Sequence, residues 1–422
     1  MRLEEVLAEA LRIVKPTEED EALLKNVVDR VKNILEEEAS KVKGVLGISL
    51  EGSAAKNTWI RGKEEADIFI HFDRDVPRDE MEKKVIEIGF RAIERMGGKP
   101  RLMYAEHPYV EGVVDGVTVD VVACYDVEPP NWLSATDRTP YHTRYVIERL
   151  KPGQEDQVRL LKGFMTGCGV YGAEIKVKGF SGYLTELLIL YYGDFMSVVK
   201  SAANWKPPIV IDLERHYRSV EEVLEMFRNQ PLIVIDPIDM GRNVASAVSL
   251  TKLSEFILAS KLFISNPSLN FFKSRVEKPS IQDLRSLSAG RSILYLLFKL
   301  EEEKPPDVLW GELRKSEEGI RRAFERLGFK VYRSDSWTDE AELCILIFEL
   351  DTLRLPNFTI HRGPPVYLET AEDFIQKWSG RAVGPWVRGD RLYVLRRRDE
   401  TDAVKLLRRE LDLNRVAIAK GL

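Results

Sequence analysis

Cysteine and histidine are scarce in this sequence of 422 residues, which has three cysteines and five histidines. Cys124, Cys168 and Cys344 follow no regular spacing. They fit neither the disulfide framework of a small secreted domain nor the paired ligands of a structural zinc site. We therefore expect a protein of the reducing cytoplasm.

Long apolar runs are also missing. The longest, such as YLTELLILYYG, are too short and too polar to span a bilayer. The first residues, MRLEEVLAEALRIVK, have the pattern of an acidic amphipathic helix rather than of a signal peptide. The sequence contains no low-complexity tract and no short repeat. These features predict an ordinary globular protein with no membrane partner, and the length favours about three domains.

Positive charge is not in excess over the whole chain. Lys and Arg number 63 and Asp and Glu number 68, for a formal net charge of −5. This balance argues against a protein that coats nucleic acid non-specifically. Basic residues concentrate near the C-terminus, however, in RLYVLRRRDE and KLLRRELDLNR. Such a distribution suits a protein that contacts phosphates with one face, although a solvated surface of mixed sign explains it equally well.

The first 150 residues combine helical and strand patterns. Residues 2–14 and 17–41 have the apolar spacing of helices. VLGISLEGS and ADIFIHF follow as strands, and two further strand patterns are joined by Asp115-Gly116, a favoured hairpin turn. We predict helices that lead into a mixed sheet over residues 1–150.

The remainder of the chain changes character twice. Residues 154–204 show helical periodicity, and two short strand patterns, IVIDL and LIVID, follow in a helical middle domain that ends near residue 265. Residues 266–422 read in the order strand, helix, strand, strand, helix, strand, which is the βαββαβ order of a ferredoxin-like domain, followed by a tail. The predicted fold class is therefore α+β with several domains.

Gly52 and Ser53 end the first predicted strand and precede a short predicted helix, AAKNTW. Glycine lets the backbone approach a ligand, and the amides at the start of a helix favour an anion, so this turn is a candidate phosphate cradle. The Gly-Lys-Ser/Thr ending of a Walker loop is missing. An ordinary turn is the competing interpretation.

Three acidic residues are placed so that their side chains can converge. Glu65 and Asp67 are two positions apart on one strand, so both point to the same face. Asp120 lies inside VTVDVVACY, where an aspartate is costly unless it is paired or binds a metal ion. Three carboxylates would form a hard, all-oxygen site that favours Mg²⁺ or Mn²⁺ over zinc. A structural network of salt bridges is the alternative.

A two-metal site would need no protein nucleophile. One ion would lower the pKa of an attacking hydroxyl group, and the other would hold a triphosphate and the leaving pyrophosphate. The residues alone thus indicate a generic catalytic set.

The segments around these residues resemble a known family. GSAAKNTWIRGKEEADIFIHF, with VDVVACY downstream, resembles the Gly-Ser signature and carboxylate triad of the polymerase-β-like nucleotidyltransferases. Most of that superfamily has Asp-x-Asp where this chain has Glu65 and Asp67. The Glu-x-Asp form, with YAEHPYVEGVV, DRTPYHTRYV, VRLLKGFMTGCGVYGAEIKVKGFSGYLTELLI, DPIDMGRNVA and PSLNFFKSR, is similar to the archaeal class of CCA-adding enzymes.

The resemblance implies roles for ten residues. They are Glu65, Asp67 and Asp120 as metal ligands, Gly52, Ser53 and Lys56 at the nucleotide phosphates, His142, Lys162 and Tyr171 at the triphosphate or sugar, and Arg242 at the base. Lys56 stands where the family often has arginine, so a bidentate contact is lost there. Taken singly, His142 and Tyr171 could be packing residues and Lys162 a solvated lysine. Arg242 could cap a helix or pair with Asp236.

The resemblance also implies a reaction and an architecture. The reaction is untemplated addition of C, C and A to the 3′ end of tRNA from CTP and ATP, with Mg²⁺ (or Mn²⁺) and release of pyrophosphate. The architecture is a polymerase-β-like nucleotidyltransferase head (residues 1–150), a helical middle domain that recognises the nucleotide (151–265), and a ferredoxin-like domain with a tail (266–422) that binds the tRNA acceptor stem and 3′ end. A homodimer is compatible with it.

Two alternatives stay open from the sequence. One is a poly(A)-type polymerase that uses ATP alone. The other is an RNA-binding protein whose transferase domain has lost its activity.

Overall fold

Packing divides the chain into two units, Met1–Glu277 and Lys278–Leu422. The computed structural model describes residues 2–104, 107–273, 280–300 and 304–412. None of the helices in these ranges is both long enough and apolar enough to cross a membrane. The predicted boundary near residue 150 falls inside the first unit, which has two separate apolar cores, and Tyr145 and Val146 already belong to the core of the residues that follow. The division into three domains stays a prediction.

The first part of the first unit contains a five-stranded sheet. Its elements are α1 (Leu3–Val14), α2 (Glu18–Ala39), β1 (Val45–Glu51), α3 (Gly52–Ala55), β2 (Glu65–Phe72), α4 (Arg78–Arg95), β3 (Arg101–Tyr104), β4 (Pro108–Val114) and β5 (Val117–Tyr125). The strand order is β1-β2-β5-β4-β3, in which β2 and β5 are parallel and the other pairs antiparallel. Asp115 and Gly116 have φ values of 51° and 88°, so the predicted hairpin is confirmed.

Residue alternation in β2 decides which side chains enter the core. Ala66, Ile68 and Ile70 are at most 1% exposed and share a core with α2 and α4. Because successive residues of a strand point to opposite faces, Glu65 and Asp67 lie on the face away from that core. Because the apolar side chains of β2 face the core, its acidic side chains must face away from it.

The second part of the first unit is mainly helical. Its elements are α5 (Thr139–Arg149), α6 (Gln154–Gly167), α7 (Gly182–Tyr192), α8 (Phe195–Ala202), β6 (Ile209–Asp212), α9 (Val220–Met226), β7 (Leu232–Asp236), β8 (Asp239–Asn243) and α10 (Leu250–Ser265). Phe164 packs edge-on against Phe195 and Phe263 in its core. The two predicted strands correspond to β6 and β7, and β8 is an addition that completes a three-stranded sheet.

Helix α1 joins the core of this helical part, although it begins the chain. Val6 and Ala10 are fully buried there. A sequence pattern shows that a helix is amphipathic but does not show which core receives its apolar face. Arg159 of α6 also donates a hydrogen bond to the backbone oxygen of Trp59 at 3.1 Å, so buried polar contacts tie the two parts of the first unit together.

The second unit contains two small sheets. Its elements are α11 (Ile281–Ser288), β9 (Ser292–Lys299), α12 (Pro306–Leu327), β10 (Val331–Thr338), β11 (Leu343–Leu350), β12 (Phe358–Pro365), α13 (Thr370–Trp378), β13 (Val383–Arg388), β14 (Arg391–Arg397) and α14 (Ala403–Asp412). The strand orders are β10-β11-β9 and β12-β14-β13. Leu313 and Phe324 of α12 pack with Phe348 of β11, and Phe374 of α13 packs with Val394 of β14.

The six elements predicted for this unit are confirmed, but their four strands do not form one sheet. Three of them lie in one sheet and the fourth lies in another. The order β10-β11-β9 is that of the first three strands of a ferredoxin-like unit. The strand expected to complete that sheet, β14, pairs with β12 and β13 instead. Those two strands escaped prediction because each contains proline, which cannot donate a ladder hydrogen bond and is confined to edge strands such as these. The single sheet implied by the βαββαβ order is corrected to two.

Candidate active site

Asp67 and Asp120 meet in the middle of the five-stranded sheet. Strands β2 and β5 are parallel neighbours, and Asp67 pairs with Asp120 in their register. Glu65 lies on the same face of β2, two residues before Asp67. The fold therefore brings together the three carboxylates that the sequence singled out.

These carboxylates disfavour one another's charge. Burial, followed by the charge of Glu65, raises the pKa of Asp67 to about 6. Burial, followed by the charges of Asp67 and Glu111, raises the pKa of Asp120 to about 8. Burial also raises the pKa of Glu65. Since a nearby opposite charge would favour the ionised forms, this face of the sheet is suited to a cation.

Gly52 lies directly against one of the carboxylates. Its φ is +67°, and a Cβ built on it would lie 1.9 Å from Oδ2 of Asp67. Real side chains essentially never approach so closely, so any residue larger than glycine would displace the aspartate. The Gly52-Ser53 turn and the acidic face are thus parts of one site.

The donor set fits a hard divalent cation. Oδ1 of Asp120 is buried without a hydrogen-bond partner among the described residues, and an unmet buried acceptor is costly. Over the same residues, no group of three or more His, Cys, Asp or Glu side chains is arranged to hold a metal ion by itself. Mg²⁺ is commonly held by one or two carboxylates together with waters and substrate phosphates, and Asp67 and Asp120 are ligands of that type.

Lys56 and Lys162 share one buried carboxylate. Glu186 of α7 accepts a hydrogen bond from Lys56 Nζ at 2.6 Å, and its other oxygen accepts one from Thr58 at 2.5 Å. Lys162 Nζ lies 3.6 Å from the carboxylate and donates to Thr58 Oγ1 at 3.3 Å. Burial lowers the pKa of Lys162 to about 8, although Glu186 opposes this effect. Both lysines also act to lower the pKa of Asp67.

His142 and Arg242 share a second buried carboxylate. Oδ2 of Asp236 lies 2.8 Å from His142 Nε2 and accepts a hydrogen bond from Arg242 at 2.7 Å. Tyr183 donates to Oδ1 at 3.3 Å, and its ring lies 4.1 Å from that of His142. The pairing of Arg242 with Asp236 is therefore present. Because 36% of the arginine side chain is exposed and a guanidinium has five N–H donors, this pairing does not exclude ligand binding.

Tyr171 and Ser53 border the lysine pair. A Cβ built on Gly182, at the start of α7, would lie 3.2 Å from Tyr171 Oη and 3.7 Å from Lys162 Nζ. The hydroxyl and the ammonium group are thus neighbours. The carbonyl oxygen of Ser53 accepts a hydrogen bond from the backbone N–H of Thr58 at 3.0 Å, which closes the turn that leads to the lysines.

Glu186 and Tyr183 connect the candidate residues but were not predicted from the sequence, and Asp236 was named only as a pairing partner of Arg242. Glu186 and Tyr183 lie in SGYLTELLILYYG, and Asp236 ends LIVID. A charged residue inside an apolar run is costly unless it has a partner. The same signal identified Asp120, and it applies equally to Glu186 and Asp236.

Solved structures share the fold of part of this chain. A crystal structure of the Cid1 poly(U) polymerase superposes with a TM-score of 0.51 at 13% identity and covers 64% of this chain and 98% of its own. The structure of a cytoplasmic RNA terminal U-transferase has a TM-score of 0.50 at 10% identity and covers 64% of this chain and 97% of its own. At such low identity the likeness concerns the fold alone.

Three family models match the chain in succession. They are a nucleotidyltransferase domain over residues 28–142, the second domain of tRNA nucleotidyltransferase over residues 156–273, and the C-terminal domain of CCA-adding enzyme over residues 289–422.

Full-length relatives agree with these matches. The chain is 40% identical to the CCA-adding enzyme of Pyrobaculum islandicum, over 95% of this chain and 91% of that protein. It is 39% identical to that of Pyrobaculum neutrophilum, over 97% and 94%, and 38% identical to that of Methanothermobacter thermautotrophicus, over 91% and 82%. On these grounds the chain belongs to the family of CCA-adding enzymes, which are tRNA nucleotidyltransferases.

Proposed function

We propose that this chain adds C, C and A in turn to the 3′ end of tRNA, with CTP and ATP as substrates. The observation that carries the proposal is the similarity to CCA-adding enzymes over 95% of the chain. In each step the 3′ hydroxyl oxygen attacks the α-phosphorus of the nucleotide and loses its proton to solvent. A new P–O bond forms, and the bond to pyrophosphate breaks.

Glu65, Asp67 and Asp120 are the proposed ligands of the divalent metal ion on which nucleotidyltransferases depend. We propose Mg²⁺, with Mn²⁺ as a substitute, because carboxylates are hard oxygen ligands. A bound ion of this kind makes a hydroxyl group acidic at neutral pH and neutralises phosphate charge. The raised pKa values of Asp67 and Asp120 support the assignment, since a cation bound between them would favour their charged forms.

The two buried clusters are proposed to hold the nucleotide. Lys56 and Lys162, with the Gly52-Ser53 turn, would attract the triphosphate through their positive charge. The remaining candidates are His142 and Tyr171 at the triphosphate or sugar and Arg242 at the base. The support is that one compact unit of the chain contains these groups and the carboxylates, and that Lys56 and Lys162 both act on Asp67.

The second unit is proposed to bind the tRNA acceptor stem and 3′ end. Lys405, Arg408 and Arg409 lie on the exposed face of α14. The rings of Trp386 in β13 and Tyr393 in β14 stack with their centroids 6.1 Å apart. Basic side chains contact RNA phosphates, and aromatic rings stack on bases. These features support RNA contact by this unit.

Incubating the purified protein with tRNA that ends at the discriminator base, CTP, ATP and Mg²⁺ tests the proposal. We expect extension by three nucleotides and no further. If no divalent metal ion supports any three-nucleotide extension, the proposal fails. Long A tails from ATP alone would favour a poly(A)-type polymerase, and tRNA binding without extension would favour an inactive RNA-binding protein.

Two smaller proposals accompany this function. The three cysteines are free, which supports a location in the reducing cytoplasm. A homodimer stays a prediction, and the molar mass in solution checks it.

A further inference from the structure

Glu186 is a fully buried carboxylate in an otherwise apolar stretch of α7. Leaving a carboxylate ionised away from water is expensive unless charged partners and hydrogen bonds surround it. Burial works against ionisation of Glu186, but the charges of Lys56 and Lys162 and the hydrogen bonds from Lys56 and Thr58 outweigh it, so that its pKa is lowered. The residue is therefore held in its charged form by these partners.

The two lysines come from different parts of the fold. Lys56 follows the Gly52-Ser53 turn at the end of the sheet, whereas Lys162 lies on helix α6 of the helical part. Their side chains are only 6% and 2% exposed. A lysine has a flexible four-carbon stem and holds no fixed geometry without a partner, so the shared carboxylate is what keeps the two ammonium groups beside each other.

The cluster of Lys56, Lys162 and Glu186 carries a net positive charge. Two ionised lysines and one ionised glutamate leave one net positive charge in a region that water hardly reaches. Coulomb interactions are stronger there than in bulk water. Both lysines already act on Asp67, so this positive charge lies within electrostatic reach of the acidic face.

We propose that Glu186 is a positioning residue for nucleotide binding, which fixes the ammonium groups of Lys56 and Lys162 where they attract the triphosphate. The inference rests on the proposed function, because it needs a triphosphate substrate at the carboxylate face. Glu186 itself touches neither substrate nor metal ion. Its effect reaches the nucleotide through the two lysines.

The charged state of Lys162 depends on several neighbours. The titratable and charged groups around it are Glu186, Lys56, Arg159, Glu65, Asp67 and Tyr171. Glu186 is the one that most strongly keeps Lys162 protonated. Without it, Lys162 would lose its proton at a lower pH, and attraction of the triphosphate would weaken as the pH rises.

The test compares Glu186→Gln with the matched control Thr185→Val in the full-length protein. Thr185 is equally buried on the same helix, but its hydroxyl contacts Ser181 and Met165 instead of the lysines. For Glu186→Gln we expect the KM for both CTP and ATP to rise by about tenfold to a hundredfold, as for other residues that orient a ligand-binding group. We expect a smaller change in kcat. The rise in KM should steepen between pH 7 and pH 9, whereas Thr185→Val should behave as the wild type.

The outcomes separate this inference from the proposed function. Wild-type protein that extends no tRNA contradicts the proposed function, whatever the variants do. Active wild type with an unchanged KM and pH profile in folded Glu186→Gln overturns the positioning role alone. Equal losses in Glu186→Gln and Thr185→Val also overturn it, because they would indicate a general packing defect.

A second variant covers the case in which Glu186→Gln does not fold. Glu186→Asp keeps the charge but shortens the side chain by one methylene, so it should fold and retain the wild-type pH profile while its KM rises severalfold. A wild-type KM in folded Glu186→Asp would then contradict the positioning role.

Discussion

Asp67 lies opposite Asp120 in the register of two parallel strands, and after burial its charge is the largest cause of the raised pKa of Asp120. Parallel neighbours need a crossover between them, so the two aspartates are far apart in sequence and adjacent in space. Their mutual repulsion is a cost to the folded chain that a bound cation would remove.

Without metal, the wild-type protein should be less stable at alkaline pH than Asp120→Asn. The pKa of Asp120 is about 8 in the folded chain and about 3.9 in an unfolded one. The folded state therefore binds the proton more tightly, so the stability from this group is complete below pH 4 and is lost as the pH rises to about 8. Melting temperatures in EDTA at pH 5 and pH 8.5 measure this loss. Parallel pH profiles for the two proteins would contradict the raised pKa.

With divalent metal ions, the wild-type protein should become more stable than Asp120→Asn. Mg²⁺ at pH 8 should raise the melting temperature of the wild type, because a ligand that binds only the folded state stabilises it. Asp120→Asn should show little increase, and its rate of tRNA extension should fall by at least about a hundredfold, since even residues that merely orient metal ligands cost up to that much. An active Asp120→Asn with wild-type metal stabilisation would remove Asp120 from the ligand set.

Gly52→Ala should lose activity beyond its loss of stability. Alanine at a positive φ costs about 1–3 kcal/mol, and here the new methyl group would also displace Asp67. Gly97→Ala is the matched control, because Gly97 has a φ of +78° but no atom near its Cβ position. The free energy of unfolding should fall in both variants, and at least as far in Gly52→Ala because of the clash with Asp67, whereas only Gly52→Ala should extend tRNA slowly. Equal activities would show that the turn tolerates a side chain.

Arg242→Ala should disturb nucleotide choice more than metal binding. The arginine is held by Asp236 with its side chain partly exposed, which suits a donor that reads a base edge. The ratio of C to A incorporated at each position should change, while the Mg²⁺ dependence stays as in the wild type. Arg149→Ala, a half-exposed arginine paired with Glu214, is the control. Unchanged incorporation of C and A would refute the role of Arg242.

Replacing both Lys405 and Arg408 by alanine should weaken tRNA binding without changing the KM for nucleotides in saturating tRNA. Each phosphate contact that is lost should reduce the slope of log K against log salt by roughly 0.7–0.9. Binding titrations at several salt concentrations measure this slope. Arg322→Ala on α12, whose side chain is 70% exposed, serves as the control, and an equal effect there would argue against a specific RNA face on α14.

Local patterns in the sequence predicted most of the helices and strands and the acidic face of the candidate site. The alternation in β2 and the apolar run around Asp120 were enough to expect the acidic face, because burial and strand geometry are local properties. The pairing of Glu186 with Lys56 and Lys162 was not predictable in this way. That pairing and the placement of α1 both depend on how two cores pack together. The periodicity of a single segment carries no information about such packing. The second sheet of the second unit was not expected, because proline obscured the strand pattern of its two edge strands, β12 and β13.

The lysine cluster also bears on how this enzyme could be divided or recombined. Lys56 comes from the sheet, and its partner Glu186 comes from the helical part. A chain truncated near residue 150 would leave Lys56 without its carboxylate, and a chimera with the helical part of a distant relative would need a matching acid at the same place on α7. The five-stranded sheet is therefore not an independent module, and an exchange between enzymes has to combine it with a helical part that supplies this acid.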